Sequence, residues 1–208
     1  MEERRMRTDD NPQAKLFEQM NAVAFQAHPY RRPIIGWMDD LEHMTATDAR
    51  DWYDRWYVPN NAYVVISGDV DHQAVFALAE QYYGPLEGRA LPPRKPQTEP
   101  PQVGQRRVVV KAPAELPMLV MGYKVPALRD VDQDREPYAL EMLAAILDGH
   151  DAARFSKRLV REQKVAVAAG IDYDATTRGP GMLYLHGSPS EGRTVAELEA
   201  ALRAEIAR

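Results

Sequence analysis

Histidine is the residue type most often used for metal binding and acid–base catalysis, and the chain contains five histidines. No two of them stand three or four residues apart, so no helix face can present a histidine pair to a metal ion. We interpret each as a loop, cap or packing residue. A zinc site assembled from distant positions stays open as an alternative, although nothing in the sequence points to one. The histidines are His28, His43, His72, His150 and His186.

Residue patterns for other catalytic chemistry are equally incomplete. Ser67-Gly68-Asp69 lacks the preceding glycine of a nucleophile elbow and is typical of a turn. Neither a dinucleotide-binding glycine motif nor a P-loop occurs. The pairs Asp9–Asp10 and Asp39–Asp40 are adjacent residues, which do not face each other across a cleft as a general acid and base must. Asp148-Gly149-His150 is explained by a helix-ending turn. The sequence therefore predicts no catalytic residue.

Composition narrows the class of protein further. The 208 residues are 45% apolar and 27% charged, as in ordinary globular proteins, and the net charge of -5 argues against a nucleic-acid partner. With no cysteine, disulfides, thiolate zinc sites and a cysteine nucleophile are all excluded. No apolar run approaches the roughly 20 residues that span a bilayer, so no membrane partner is expected. The first thirty residues contain no signal-peptide core, and localisation stays unknown.

The first part of the chain alternates helix patterns with turns. Apolar residues at helical spacing predict a helix from Glu2 to Ala27 with a break at Asn11-Pro12. Thr45 to Asp48 has the layout of a capping box, and Asp71 that of an N-cap. Between these two predicted helices, residues 62–68 are rich in β-branched side chains and predict a strand.

Residues 84–106 are rich in proline and predict a semi-extended linker. After it, strands are predicted at 107–111 and 118–123 and a helix at 133–148. A second helix is expected at 151–161, and residues 165–173 and 182–186 should form an antiparallel hairpin. The last helix should begin near Thr194, and no stop residue follows it before Arg208.

Three ordered blocks of sequence resemble the pitrilysin/insulinase zinc peptidases, which carry an inverted H-x-x-E-H zinc helix. The first is HPYRRPIIG at 28–36, and the second runs from WYVPNNA at 56–62 into VVISGDV at 64–70. The third is YALEMLAAILDG at 138–149 followed by SKRLVRE at 156–162. The resemblance covers nearly the whole chain but not the H-x-x-E-H motif, which does not occur in these 208 residues.

The resemblance implies roles for two residues. Glu3 matches the family's third zinc ligand, a glutamate that follows the zinc helix, and Arg161 matches an arginine that holds the peptide substrate. A tyrosine that steadies the scissile carbonyl in active relatives falls at Val167 or Ala168, so its hydroxyl is missing here. One carboxylate cannot hold zinc, so zinc is expected in the full-length parent and not in this chain.

The resemblance also implies an α+β fold of metallopeptidase-like units, each a mainly antiparallel sheet covered by helices on one face. Residues 1–86 would be the latter half of a first unit, 87–106 a proline-rich linker and 107–208 the first part of a second, non-catalytic unit.

We therefore interpret the chain as a non-catalytic portion of a zinc metallopeptidase. The alternative is a peptidase-like, non-catalytic subunit that clamps peptides or supports an active partner. A peptide or unfolded protein would bind along an exposed sheet edge. Further expected partners are the missing zinc-helix segment or an active homologous subunit, and a second copy of the chain. Bacterial relatives are often periplasmic, which is the location that the resemblance would suggest.

Overall fold

The computed structural model describes all residues, 1–208, and contains seven α-helices and three β-strands. The helices are α1 (Glu2–Arg4), α2 (Pro12–Ala24), α3 (Met38–His43), α4 (Ala46–Trp56), α5 (His72–Tyr83), α6 (Glu136–Asp148) and α7 (Val195–Ile206). The strands are β1 (Leu119–Val125), β2 (Ala166–Tyr173) and β3 (Gly181–Pro189). Two π-helical segments, Arg5–Asp9 and Phe155–Glu162, and two short 3₁₀ turns complete the regular structure.

By their internal contacts the residues form two compact units. Unit 1 comprises Met1–Trp37 with Gln97–Arg208, and unit 2 comprises Met38–Pro96. This grouping does not test the predicted division at 86 and 106, which concerns homologous units of a longer protein.

A three-stranded antiparallel sheet in the order β1-β3-β2 is the centre of unit 1. The predicted hairpin is confirmed, because β2 pairs antiparallel with β3 in the register that sets Ile171 opposite Leu185. Strand β1 pairs with the other edge of β3, with Met121 opposite Leu185. Sheet and helices together confirm the predicted α+β class.

One face of this sheet carries the main hydrophobic core. Leu185 of β3 is fully buried against the helical segments that pack on this face. The other side chains of this core with no exposed surface lie on α6, on the π-helical segment and on α7, and they are Leu147, Phe155, Leu159, Leu198 and Leu202. Burying each such side chain stabilises the fold by about 1.5–3 kcal/mol relative to leaving it in water.

Helix α2 packs on the opposite face of the sheet. Met182 and Tyr184 alternate with the core-facing leucines of β3, so they point to this second face, where they meet Phe25 and Met20. The Phe17 and Tyr184 rings meet edge to face at 6.0 Å between centroids. Helices thus cover one face of the sheet, as expected, and the N-terminal helix α2 covers the other face as well.

Predicted helix starts agree with the structure. Asn11 caps α2 by accepting hydrogen bonds from Gln13 and Ala14, so the helix breaks at Asn11-Pro12 as expected. Thr45 forms a full capping box with Asp48 at the start of α4. Asp71 caps α5.

Two predicted strands are absent, at residues 62–68 in unit 2 and 107–111 in unit 1. A strand exists only when a neighbour accepts its hydrogen bonds, and neither segment has one. Unit 2 buries a single residue, Val58. Among the helices, none combines the length and the apolar content needed to cross a membrane.

Candidate functional site

Unit 1 contains a cavity of about 990 Å³, lined by residues of the N-terminal segment and by the ends of β2 and β3. Its apolar wall is made of side chains from the segment that follows α2 and from β3. These are Phe25, Tyr30, Pro33, Ile34, Ile35 and Met182. A volume of this size accommodates several side chains of a peptide.

Three tyrosines place hydroxyl groups around the cavity. Tyr184 donates a hydrogen bond to Asn21 Oδ1 at 2.8 Å, and burial raises the pKa of its phenol, which therefore stays protonated. Tyr173 donates to the Pro126 carbonyl at 2.6 Å. The Tyr30 hydroxyl accepts a hydrogen bond from the Gly179 amide at 3.0 Å. The hydroxyls are thus fixed by partners in the fold.

The carboxylates that line the cavity are also paired. Glu3 lies 3.3 Å from Arg7, and Glu18 lies 2.8 Å from the guanidinium of Arg4. Asp172 lies 3.1 Å from His186 Nε2. Arginines thus pair with two of the four lining carboxylates, and the fourth, Asp174, accepts a hydrogen bond from the Thr176 hydroxyl at 2.7 Å. The cavity is therefore only partly neutralised. It is suited to binding an uncharged or mixed segment by contact and hydrogen bonding.

The structure places Glu3, the predicted zinc ligand, on α1 at the rim of this cavity, with an exposed side chain. No group of three or more histidine or acidic side chains within residues 1–208 is arranged to hold a metal ion. The residues present therefore do not fit zinc by themselves, since a catalytic zinc needs three protein ligands. The role of Glu3 as one ligand among several stays a prediction.

Arg161, the predicted substrate-binding residue, lies near the end of the π-helical segment Phe155–Glu162. Its guanidinium donates a hydrogen bond to the Asp151 carbonyl at 2.7 Å, and the residue is exposed. It does not line the cavity that contains Glu3. The structure thus does not bring the two predicted residues together. Val167, at the expected tyrosine position, is half exposed on β2.

Sequence patterns did not identify the tyrosines of the cavity. Tyr184 could have been found, because it alternates with Leu183 and Leu185 and must face away from the core. Tyr30 and Tyr173 reach the cavity only through the packing of the N-terminal loop against the β2–β3 turn. No local pattern predicts such a long-range contact.

A second space of about 520 Å³ follows the outer edge of β1. It lies between β1 and the extended residues 102–108, with Met20 and Val23 of α2 among its lining residues. Because β1 pairs only with β3, its other edge has unpaired backbone groups. The prediction that a peptide binds along a sheet edge is untested, and this edge is one place where it could occur.

The fold defines an α+β unit in which helices pack on an antiparallel three-stranded sheet. Residues 43–208 match the family model described as "Peptidase M16 inactive domain". The chain belongs to the M16 peptidase family.

Named relatives agree with this assignment. The chain is 35% identical over 172 residues to the zinc protease PqqE of Helicobacter pylori, covering 81% of this chain and 38% of that protein. It is 28% identical over 197 residues to an uncharacterized zinc protease of Mycobacterium leprae, covering 93% of this chain and 42% of that protein. The chain thus spans about two fifths of the length of these curated relatives.

The crystal structure of a protease from Helicobacter pylori has the same fold. The two superpose with a TM-score of 0.85 at 29% identity, over 99% of this chain and 49% of that one. Together these matches identify the chain as a non-catalytic portion of a zinc protease-like protein.

Proposed function

We propose that the chain holds peptide substrate for a zinc-dependent peptidase, with unit 1 providing a wall of the substrate site. The observation that carries this proposal is the cavity of about 990 Å³ whose rim includes Glu3. Its apolar side chains would contact the side chains of an unfolded peptide. Its tyrosine hydroxyls and backbone groups would accept and donate hydrogen bonds without demanding one sequence.

The chemistry would come from elsewhere in the full-length protein. An H-x-x-E-H helix would supply two histidine ligands and the glutamate that acts as general base, and zinc would lower the pKa of its bound water. Glu3 would complete the ligand set. Within residues 1–208, the task is to bind and orient the peptide.

A second candidate function is a non-catalytic subunit that clamps peptides for an active partner. Val167 and Ala168 favour it, because neither can donate the hydrogen bond that a tyrosine gives to the developing oxyanion. The first candidate differs from the second in requiring that Glu3 join a zinc site when the H-x-x-E-H segment is present.

Peptide binding is tested by fluorescence anisotropy of a labelled, unstructured peptide with the purified chain. Ile34 projects fully into solvent at the cavity, so Ile34→Glu should leave folding intact. The new charge should weaken peptide binding by about tenfold, equivalent to 1.4 kcal/mol. Val131 is the matched control, because it is an exposed apolar residue of unit 1 away from the cavity. Equal effects of Ile34→Glu and Val131→Glu would refute the assignment of this cavity.

Zinc is tested by calorimetric titration of the same chain, paired with a quenched-peptide cleavage assay. We expect neither stoichiometric zinc binding nor cleavage. Tight zinc binding with chelator-sensitive cleavage would show instead that the chain holds a complete metal site, assembled around Glu3 and the scattered histidines.

A further inference from the structure

A carboxylate, that of Glu99, is enclosed by donors in unit 1. The side chain is 6% exposed, and its two oxygens accept hydrogen bonds from three consecutive backbone amides. Gln26 N lies 2.9 Å from Oε1, while Ala27 N and His28 N lie 2.9 and 3.0 Å from Oε2. The ammonium of Lys124, on β1, lies 2.8 Å from Oε1.

This arrangement has the features of an anion-binding site. Successive backbone N–H groups that converge on one point form a concave donor surface, and a lysine beside it adds a full positive charge. Residue 29 is proline, so the run of donors ends at His28. None of the three amides donates to another backbone carbonyl. Without a carboxylate, all three amides would have to donate their hydrogen bonds to water.

The electrostatics agree with this description. Burial opposes the ionisation of Glu99, but the hydrogen bonds from His28, Lys124, Gln26 and Ala27 together outweigh burial and lower its pKa to about 2. The carboxylate is therefore charged at neutral pH and in mild acid.

The residues around the Glu99 carboxylate are adjacent to the wall of the cavity. Phe25 and Tyr30, which line the cavity, flank the three donor residues on either side in sequence. The Lys124 ammonium lies 5.6 Å from the centroid of the Phe25 ring. The Phe25 and Tyr30 rings meet edge to face at 6.0 Å.

We define residues 97–106 as the return segment, since the chain re-enters unit 1 there. Its other end is fastened too: Arg106 donates to the carbonyls of Val23 and Ala24 at 2.6 and 3.1 Å. Glu99 and Arg106 thus fix the return segment to the end of α2 and the loop that follows it.

We propose that the amides of Gln26, Ala27 and His28 together with Lys124 form a carboxylate-binding site whose resident ligand is Glu99. By filling this site, the return segment positions Phe25 and Tyr30 in the cavity wall. Glu99 is in this sense a positioning residue, and its effect on peptide binding rests on the proposed function. The site itself should accept another small carboxylate when Glu99 is absent.

The test removes the ligand and offers a substitute. In Glu99→Ala, the amide protons of Gln26, Ala27 and His28 should lose their protection against hydrogen exchange, as observed by NMR. Acetate should restore that protection and raise Tm in a saturable manner, whereas acetamide and chloride at equal ionic strength should not. Glu115→Ala is the matched control, since Glu115 is exposed and makes no hydrogen bond or ion pair.

Two further variants keep the proposal falsifiable if Glu99→Ala does not fold. Glu99→Gln retains the size of the side chain and one acceptor oxygen but no charge, so protection at the same three amides should fall without being abolished. Glu99→Asp keeps the charge on a shorter side chain and should also retain part of the protection. Where Glu99→Ala folds, adding Lys124→Met to it should weaken acetate binding. Unchanged exchange in Glu99→Gln, or an equal acetate effect in Glu115→Ala, would overturn the carboxylate site.

The link to the cavity has its own readout. Acetate should restore peptide affinity in Glu99→Ala together with amide protection. Restored protection without restored affinity would overturn the positioning role while leaving the carboxylate site in place. If the wild-type chain binds no peptide, the proposed function fails and the acetate result still stands, so the two failures are distinguishable.

Discussion

At the scale of residues, Arg4 and Glu18 form an ion pair in which both side chains are more than nine-tenths buried. The guanidinium donates to both carboxylate oxygens, at 2.8 and 3.1 Å, and to the Gly36 carbonyl at 2.9 Å. Arg4→Ala would leave the Glu18 carboxylate buried without its partner, which costs about 3–5 kcal/mol. Urea unfolding measures this loss. Arg7 is the control, because its pair with Glu3 is exposed and Arg7→Ala should change stability by less than about 1 kcal/mol.

Glu99 makes stability depend on pH over a defined range. Its pKa is lowered from the usual 4.5 to about 2, so its contribution is complete above about pH 4.5 and is lost as pH falls to about 2. At neutral pH, wild type should be more stable than Glu99→Gln by about 1.5–3 kcal/mol, as for a hydrogen bond to a charged group. Unfolding curves across this range should converge towards pH 2. A stability difference that does not vary between pH 5 and 2 would contradict the assignment.

At the scale of elements, two helices begin with the same kind of capping box, but only one of them buries a face. Thr194 and Glu197 start α7, which carries the fully buried Leu198 and Leu202. Thr45 and Asp48 start α4, which has no buried residue. Thr194→Ala should therefore lower the free energy of unfolding by about 1 kcal/mol. Thr45→Ala should leave the main unfolding transition, followed by circular dichroism, unchanged. Equal losses would show that α4 shares the cooperative core.

Elements with local determinants could be predicted from the sequence, and those that depend on a distant neighbour could not. The caps at Asn11, Thr45 and Asp71 act within three or four residues, so the starts of the three helices were predicted correctly. The β2–β3 hairpin is likewise local. Residues 62–68 and 107–111 have strand-forming side chains, but no adjacent strand accepts their hydrogen bonds. The cavity was missed for the same reason, since the contact between Tyr30 and Gly179 spans 149 residues.

At the scale of the whole molecule, the distribution of apolar surface separates the two units. Unit 1 has a continuous core, whereas unit 2 exposes large apolar side chains on its helices and on residues 62–66. Seven aromatic residues of unit 2 are each more than half exposed: Trp52, Tyr53, Tyr57, Tyr63, Phe76, Tyr82 and Tyr83. At about 150–250 Å² for each side chain, their exposed surface approaches the roughly 800 Å² that each partner contributes to a standard interface.

We therefore predict that two copies of the chain associate through unit 2, by pairing residues 62–66 as strands. Val65 is 89% exposed, and Val65→Lys would place a charge on each pairing edge, which opposes association. Sedimentation velocity should show a concentration-dependent dimer for wild type and a monomer for Val65→Lys. Val131→Lys, at an exposed apolar residue of unit 1, should dimerise as wild type does. A wild-type chain that stays monomeric at high concentration would refute the prediction. Dimers that persist in Val65→Lys would place the interface on a surface other than residues 62–66.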